Sequence, residues 1–224
     1  MKRCLFCVAG LVLPAMCLAF PLSAQEALRG EVKIEMKQVR GFPIEEVQAG
    51  VILSIAEARA AAMEEAALYF GAMIYGWSFH YDVGERARNI EEKLELTPLG
   101  KVNSGDPRLE ITEVQVKDLN LYLWSDYRPD TAQRNRLAKW KAGTVRTAQA
   151  YGEGPLEDRY KALEDAARAA IRAMLRGSER NRPKEVTGFI SLAVFPRYWM
   201  EKGHWTALGR FRVEIINIQP FAAY

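Results

Sequence analysis

Histidine and cysteine are the scarce residues of this 224-residue chain, which has two of the first and three of the second. Cys4, Cys7 and Cys17 all precede Phe20, so everything after Ala24 is free of thiols. Disulfides, thiolate-ligated zinc, iron–sulfur clusters and a cysteine nucleophile are thereby excluded from that part of the chain. His80 and His204 are far apart, and neither has a second histidine at the i, i+4 spacing of a helical metal motif. Both are expected to be structural or solvated. Also missing are G-x-S-x-G, a P-loop, a dinucleotide glycine fingerprint and an EF-hand loop, which leaves nucleophilic and nucleotide chemistry without a foothold. The adjacent acids Glu64-Glu65, Glu91-Glu92 and Glu164-Asp165 would point about 100° apart on a helix. They cannot flank one scissile bond together, and they predict a solvated helix face. The expectation is a non-enzymatic protein with no metal and no cofactor.

What the chain does have is ordinary globular material: 49% hydrophobic residues, 26% charged and 10% aromatic, with 16 Gly and 10 Pro. Disorder, collagen and coiled coil do not fit this mixture. Met1-Lys2-Arg3, the apolar run Cys4 to Phe20 and the small-residue exit Pro21-Leu22-Ser23-Ala24 have the layout of a secretory signal peptide. The run is interrupted by Pro14 and is at the short end of what spans a bilayer, so residues 1–24 are expected to be cleaved after Ala24. Cys17 follows Met16 rather than a small residue, which argues against lipidation. Without the leader, 29 basic residues face 28 acidic ones. So little net charge gives no long-range field for nucleic acid, which is not expected as a partner. A cysteine-free exported domain fits a bacterial periplasm, or secretion, better than a small disulfide-stapled module.

Residues 25–224 read as one α+β domain. Val32, Ile34 and Met36 alternate with charged residues, which predicts a half-buried strand over Glu31 to Val39. Pro43 and the acids after it suit a helix start, and Ile44, Val47, Val51, Ile55, Ala58, Ala62, Ala66, Tyr69 and Phe70 share one helical stripe. A helix over Ile44 to Ala72 follows, with Gly50 a mild weakness and Glu64 and Glu65 off the stripe. Ile74 to Val83 predicts a strand with Trp77, Phe79 and Tyr81 on one face. Leu109 to Leu123 carries strand alternation with a phase slip near Thr112-Glu113, which predicts one or two strands and a bulge. Thr97-Pro98-Leu99-Gly100 reads as turn, Pro129 to Trp140 as a short helix, and Gly143 to Pro155 as a connection. Leu156, Tyr160, Leu163, Ala167, Ala170 and Met174 predict a second amphipathic helix ending near Arg176. Val186 to Tyr198 and Thr206 to Ile218 predict a terminal β-hairpin. The architecture expected is a mostly antiparallel sheet with two long amphipathic helices packed on one face. The Ala-rich helices at Ile55 to Ala62 and Leu163 to Ala170 suggest two similar halves, 31–127 and 155–218. Chance likeness of Ala-rich helices explains the pair equally well.

Two basic clusters are the candidate interaction surface. Arg168, Arg172, Arg176 and Arg180 recur every fourth residue along the second helix, with Arg182 and Lys184 beyond. Cations near a helix C-terminus are favoured by its dipole, and Glu164 and Glu179 are placed to neutralise part of the stripe; anionic lipid head groups or an acidic partner are the alternative. Arg128, Arg134, Arg136, Lys139, Lys141 and Arg146 surround Trp140, which is either an interface anchor or a ring tucked against the sheet.

The alternating strand, the Ala58 to Ala62 helix core (Ala-Arg-Ala-Ala-Ala) and the aromatic strands after it resemble bacterial flagellar assembly protein T and the envelope lipoproteins of the flagellar protein P group. The resemblance covers Glu31 to Val83 and implies a periplasmic, non-enzymatic accessory of envelope or flagellar structures, with a protein partner in the envelope. It carries over no functional residue, and the lipobox of the lipoprotein members is absent. The function expected is therefore an exported, non-catalytic interaction or scaffold protein of the envelope. The alternative is a periplasmic binding module for a small apolar or lipid ligand held against the Trp77, Phe79, Tyr81 face.

Overall fold

The computed structural model describes residues 27–37, 52–84, 91–178 and 183–220; the predicted leader and the first part of the predicted helix, 44–51 with Gly50, lie outside them. In chain order the elements are β1 (Leu28–Glu35), α1 (Ile55–Ile74), β2 (Trp77–Asp82), β3 (Lys93–Pro98), β4 (Leu109–Lys117), β5 (Asn120–Tyr127), α2 (Thr131–Lys139), β6 (Arg146–Gly154), α3 (Arg159–Ser178), β7 (Pro183–Leu192), β8 (Arg197–Glu201) and β9 (His204–Pro220). The fold is α+β, and every strand pairing among the described residues is antiparallel. The strands divide into a small sheet of order β1-β5-β4 and a larger one of order β3-β2-β7-β9-β6, with β8 beside β9. β2 and β3, from the first proposed half, are built into the sheet that β7 and β9 of the second half form.

α1 begins at Ser54 because the local chemistry starts it there. The Ser54 side chain accepts the Glu57 N–H at 3.2 Å while the Glu57 carboxylate accepts the Ser54 N–H at 2.8 Å, a reciprocal capping box. Just before it, Ile52 is bridged to Lys37 as extended chain, so the helix does not reach back across this point as its stripe predicted. Ala58, Ala62 and Ala66 are fully buried, and from Tyr69 to Ile74 every residue is buried. The reason is position: α1 packs on β1 and β5 of the small sheet and on β7 of the large one. A helix gripped from two sides is apolar all round in its last turns.

Alternation placed the strands well. Val32, Ile34, Met36, Phe79 and Tyr81 are buried as their spacing predicts, and the slip at Thr112-Glu113 is a β-bulge where the register shifts between Ile111 and Glu113. Two segments differ. Thr97-Pro98 closes edge strand β3, where proline's missing N–H costs no ladder bond. Most of Gly143 to Pro155 is strand β6, disguised by glycines that α3 requires. A Cβ at Gly152 would lie 2.1 Å from the Ala166 nitrogen, and one at Gly154 would lie 2.4 Å from that of Ala162. Helix and strand backbones therefore meet directly, through Gly on one side and Ala on the other.

The terminal hairpin is β8–β9, turned by Lys202-Gly203 with both φ values left-handed, at 51° and 79°, as a two-residue type I′ turn requires. The predicted Val186 to Tyr198 strand is interrupted: β7 ends at Leu192, the chain leaves the sheet, and β8 resumes along the same edge of β9. The excursion carries Phe195 across to the small sheet. Its ring meets Tyr69 and Phe70 edge-on at centroid distances of 5.1 and 4.8 Å, and it lies where a Cβ on Gly30 would otherwise stand. Phe195 thereby ties the β7–β8 crossing to both α1 and β1.

Candidate functional site

In both basic clusters some cations are tied to partners within the fold and others are exposed. Arg168 pairs with Asp165 at 3.0 Å, and Arg172 forms an ion pair with Glu92 while its Nε lies 3.3 Å from the Tyr81 hydroxyl. The neutralising partners are thus Asp165 and Glu92 rather than Glu164, which binds Lys161 at 2.9 Å. Arg176 is exposed. Arg180, Arg182 and Glu179 lie outside the described residues, as does the Lys184 side chain.

In the second cluster Trp140 is a correction to the proposed interaction surface. It is 8% exposed and its indole N–H donates to the Ile74 carbonyl at 3.0 Å. That carbonyl belongs to the last turn of α1, where helix oxygens lack partners along the chain. Gly76 makes room for the ring, since a Cβ there would lie 2.9 Å from Trp140 Cζ2. Around it, Arg134 bonds the Pro129 carbonyl at 2.8 Å, Arg128 pairs with Glu110 at 3.0 Å, and Arg136 lies 5.9 Å from the Tyr75 ring centroid. Lys139, Lys141 and Arg146 are exposed.

His80 sits on the outer face of the large sheet, half-exposed. Nε2 is 3.3 Å from Asp82 Oδ1 and Nδ1 is 3.5 Å from Glu185 Oε1. These three side chains are close enough to gather round a cation, but each ring nitrogen already faces a carboxylate, and the group lies on an open strand surface. His204 Nδ1 is 3.1 Å from the Lys202 carbonyl within the β8–β9 turn.

The site that the structure builds lies elsewhere, between the two sheets. A cleft of about 600 Å³ runs along β1, with the Val194 to Tyr198 crossing as its opposite wall. At its inner end is Glu65, 4% exposed, in an ion pair with Arg159. Glu65 also accepts a hydrogen bond from the Tyr69 hydroxyl, and the Tyr69 and Tyr198 hydroxyl oxygens are 3.1 Å apart. Arg159 continues outward: its Nη1 donates to the Lys33 carbonyl at 3.2 Å, and its guanidinium lies 5.3 Å from the Tyr198 ring centroid. One network therefore joins α1, α3, β1 and β8. Breaking such a buried pair from one side typically costs about 3–5 kcal/mol.

Electrostatics fix the protonation of this network. Burial pushes the Tyr69 hydroxyl well above its ordinary pKa, aided by the neighbouring Tyr198, and burial likewise raises Tyr198. Both phenols remain neutral hydrogen-bonding groups at physiological pH, and the carboxylate is engaged by Arg159. No histidine, cysteine, serine or threonine is among the described residues lining the cleft. The arrangement can bind and position.

None of Glu65, Tyr69, Arg159 and Tyr198 was singled out from sequence as a site residue. The apolar stripe leaves Glu65 out, yet its spacing of three from Ala62 and four from Tyr69 sets it on the buried face. A lone acid at such a position was the available signal. Its partner Arg159 enters only through the tertiary fold.

A protein-family model matches residues 18–221. The chain belongs to that family. The match takes in every described element, so both sheets and the cleft between them lie within the family's span. A Treponema pallidum (strain Nichols) relative called "Uncharacterized protein" is 27% identical over 165 residues, covering 72% of this chain and 69% of the relative. No solved structure matches.

Proposed function

We propose that this chain is an exported, non-catalytic interaction protein of the bacterial cell envelope, and that the cleft between β1 and the Val194 to Tyr198 crossing is where it holds a protein partner. The observation that carries the reading is the network at the inner end of the cleft. A carboxylate, a guanidinium and two phenols are locked to one another and to the Lys33 backbone, which makes a rigid wall for recognition and engages all four groups structurally. Export is supported by the charged start, apolar run and small-residue exit of residues 1–24, and a bacterial setting by the bacterial relative. The resemblance of the Ala58 to Ala62 region to flagellar accessory proteins makes flagellar envelope structures the first partners to examine.

The alternative, a module for a small apolar or lipid ligand, is favoured by the cleft volume, which falls in the range of small-molecule sites. Against it, the aromatic face expected to hold such a ligand is filled, because Phe79 and Tyr81 are buried. A photo-crosslinking amino acid at position 122, on the cleft wall, tests the two readings in cells that express the full chain. The proposal expects a discrete protein adduct in the periplasmic fraction, absent when the crosslinker is moved to position 151 on β6. Cytoplasmic fractionation, or a lipid adduct alone, would overturn it.

A further inference from the structure

The cleft wall formed by β1 is a strand edge. Met36 N–H donates to the Leu119 carbonyl at 2.9 Å, in the same register that sets Ile34 opposite Leu121 and Val32 opposite Leu123. Bonded and non-bonded residues alternate along an antiparallel pair, so the even-numbered residues of β1 bond β5. Glu31, Lys33 and Glu35 consequently turn their amide N–H and C=O groups the other way, into the cleft. Arg159 marks that direction independently, since it reaches the Lys33 carbonyl from the cleft side. β1 is an outer strand of its sheet. Apart from the Arg159 contact, these outward groups have no hydrogen-bond partner among the described residues.

We propose that the outward edge of β1 receives an extended polypeptide segment of a partner protein, which adds to the small sheet as a fourth strand. This rests on the interaction-protein reading and names the class of partner and the mode of contact. Outward N–H and C=O groups on every second residue call for a ligand with acceptors and donors at the same repeat, which an extended polypeptide supplies and a lipid or sugar does not. Charge sets no sign for that segment: Arg197 on the opposite wall and Glu31 on β1 both line the cleft, exposed and with no ion-pair partner among the described residues, while Arg159 is neutralised by Glu65 and Lys33 pairs with Glu35. A second copy is a poor occupant, because pairing β1 with β1 would bring two Val194 to Tyr198 crossings into one space.

The test selects phage-displayed random peptides of about ten residues on the immobilised full chain, then assays synthetic copies by fluorescence anisotropy. N-methylating alternate residues of the selected peptides in one phase should weaken binding by about tenfold or more per hydrogen bond lost, while the other phase has little effect. Glu31→Pro removes an outward N–H that β5 does not use and should weaken binding similarly. If Glu31→Pro fails to fold, the N-methyl series decides alone. Selected peptides indifferent to N-methylation, no selectable peptide, or dimerisation through β1 would each overturn strand addition. A cleft-specific protein adduct at position 122 with no sensitivity to N-methylation would overturn this inference while leaving the interaction-protein reading intact.

Discussion

Replacing Arg159 by methionine removes the cation that neutralises Glu65 while keeping much of the side-chain volume. Glu65 is 4% exposed and the Arg159 side chain 18%, so the carboxylate would be left buried beside Tyr69 without its counter-charge. Loss of one partner of a buried pair costs about 3–5 kcal/mol. The partial exposure of the arginine argues for the lower end, about 3 kcal/mol, including its contact to the Lys33 carbonyl. For a domain of this size that is a fall of roughly 6–12 °C in Tm. The double variant Glu65→Leu/Arg159→Met removes both charges and should regain most of the loss, ending within about 1 kcal/mol of the parent or above it. Urea unfolding followed by tryptophan fluorescence measures all three proteins. Arg159→Met within about 0.5 kcal/mol of the parent would show that Glu65 is solvated through the cleft, and the account of a rigid recognition wall would fall with it.

Four further outcomes follow from the packing and the charges. Phe211→Ala empties a fully buried position on β9 and should cost about 3–5 kcal/mol; an unchanged melting temperature would mean that the hairpin's faces are reversed. Gly76→Ala combines a φ of +69° with a Cβ 2.4 Å from the Ile190 carbonyl, and should cost at least about 2 kcal/mol in chemical denaturation. Trp140→Phe should cost about 1–3 kcal/mol, because the Ile74 carbonyl loses its donor. The hydrogen bonds from Arg108, with help from the Tyr127 hydroxyl, hold the Asp106 carboxyl at about 2. A carboxyl depressed on folding stabilises the native state above its unfolded pKa of about 4 and loses that contribution as pH falls through 2. Asp106→Asn should therefore lower stability at pH 7 by on the order of 1 kcal/mol, allowing for solvent screening, and the difference from the parent should vanish by about pH 2.

Strands with one face on a core were readable because their period is two: Val32, Ile34 and Met36, or Phe79 and Tyr81, need no tertiary information to be assigned inward. β6 was hidden because its inward positions Gly152 and Gly154 answer to the α3 backbone and carry no hydrophobic signal. The division into two sheets was equally invisible, since it depends on where the chain leaves β7 at Ala193 and sends Phe195 across to Gly30. The site was the least legible part. A charge beside an apolar stripe reads as a solvated face, which is right for Glu64 and wrong for Glu65. The cleft is assembled from residues near 30, 65, 159 and 198, and no short motif can announce such a set. Trp140 had two readings, and the open carbonyl at Ile74 decides between them.

Residue-resolved amide hydrogen exchange on the free, full-length protein examines the open edge most directly. The account predicts alternation along β1, with the amides of Val32 and Ile34 protected by β5 and those of Glu31, Lys33 and Glu35 exchanging at least tenfold faster. Uniform protection from Glu31 to Glu35 would contradict it, because the edge would then already be covered.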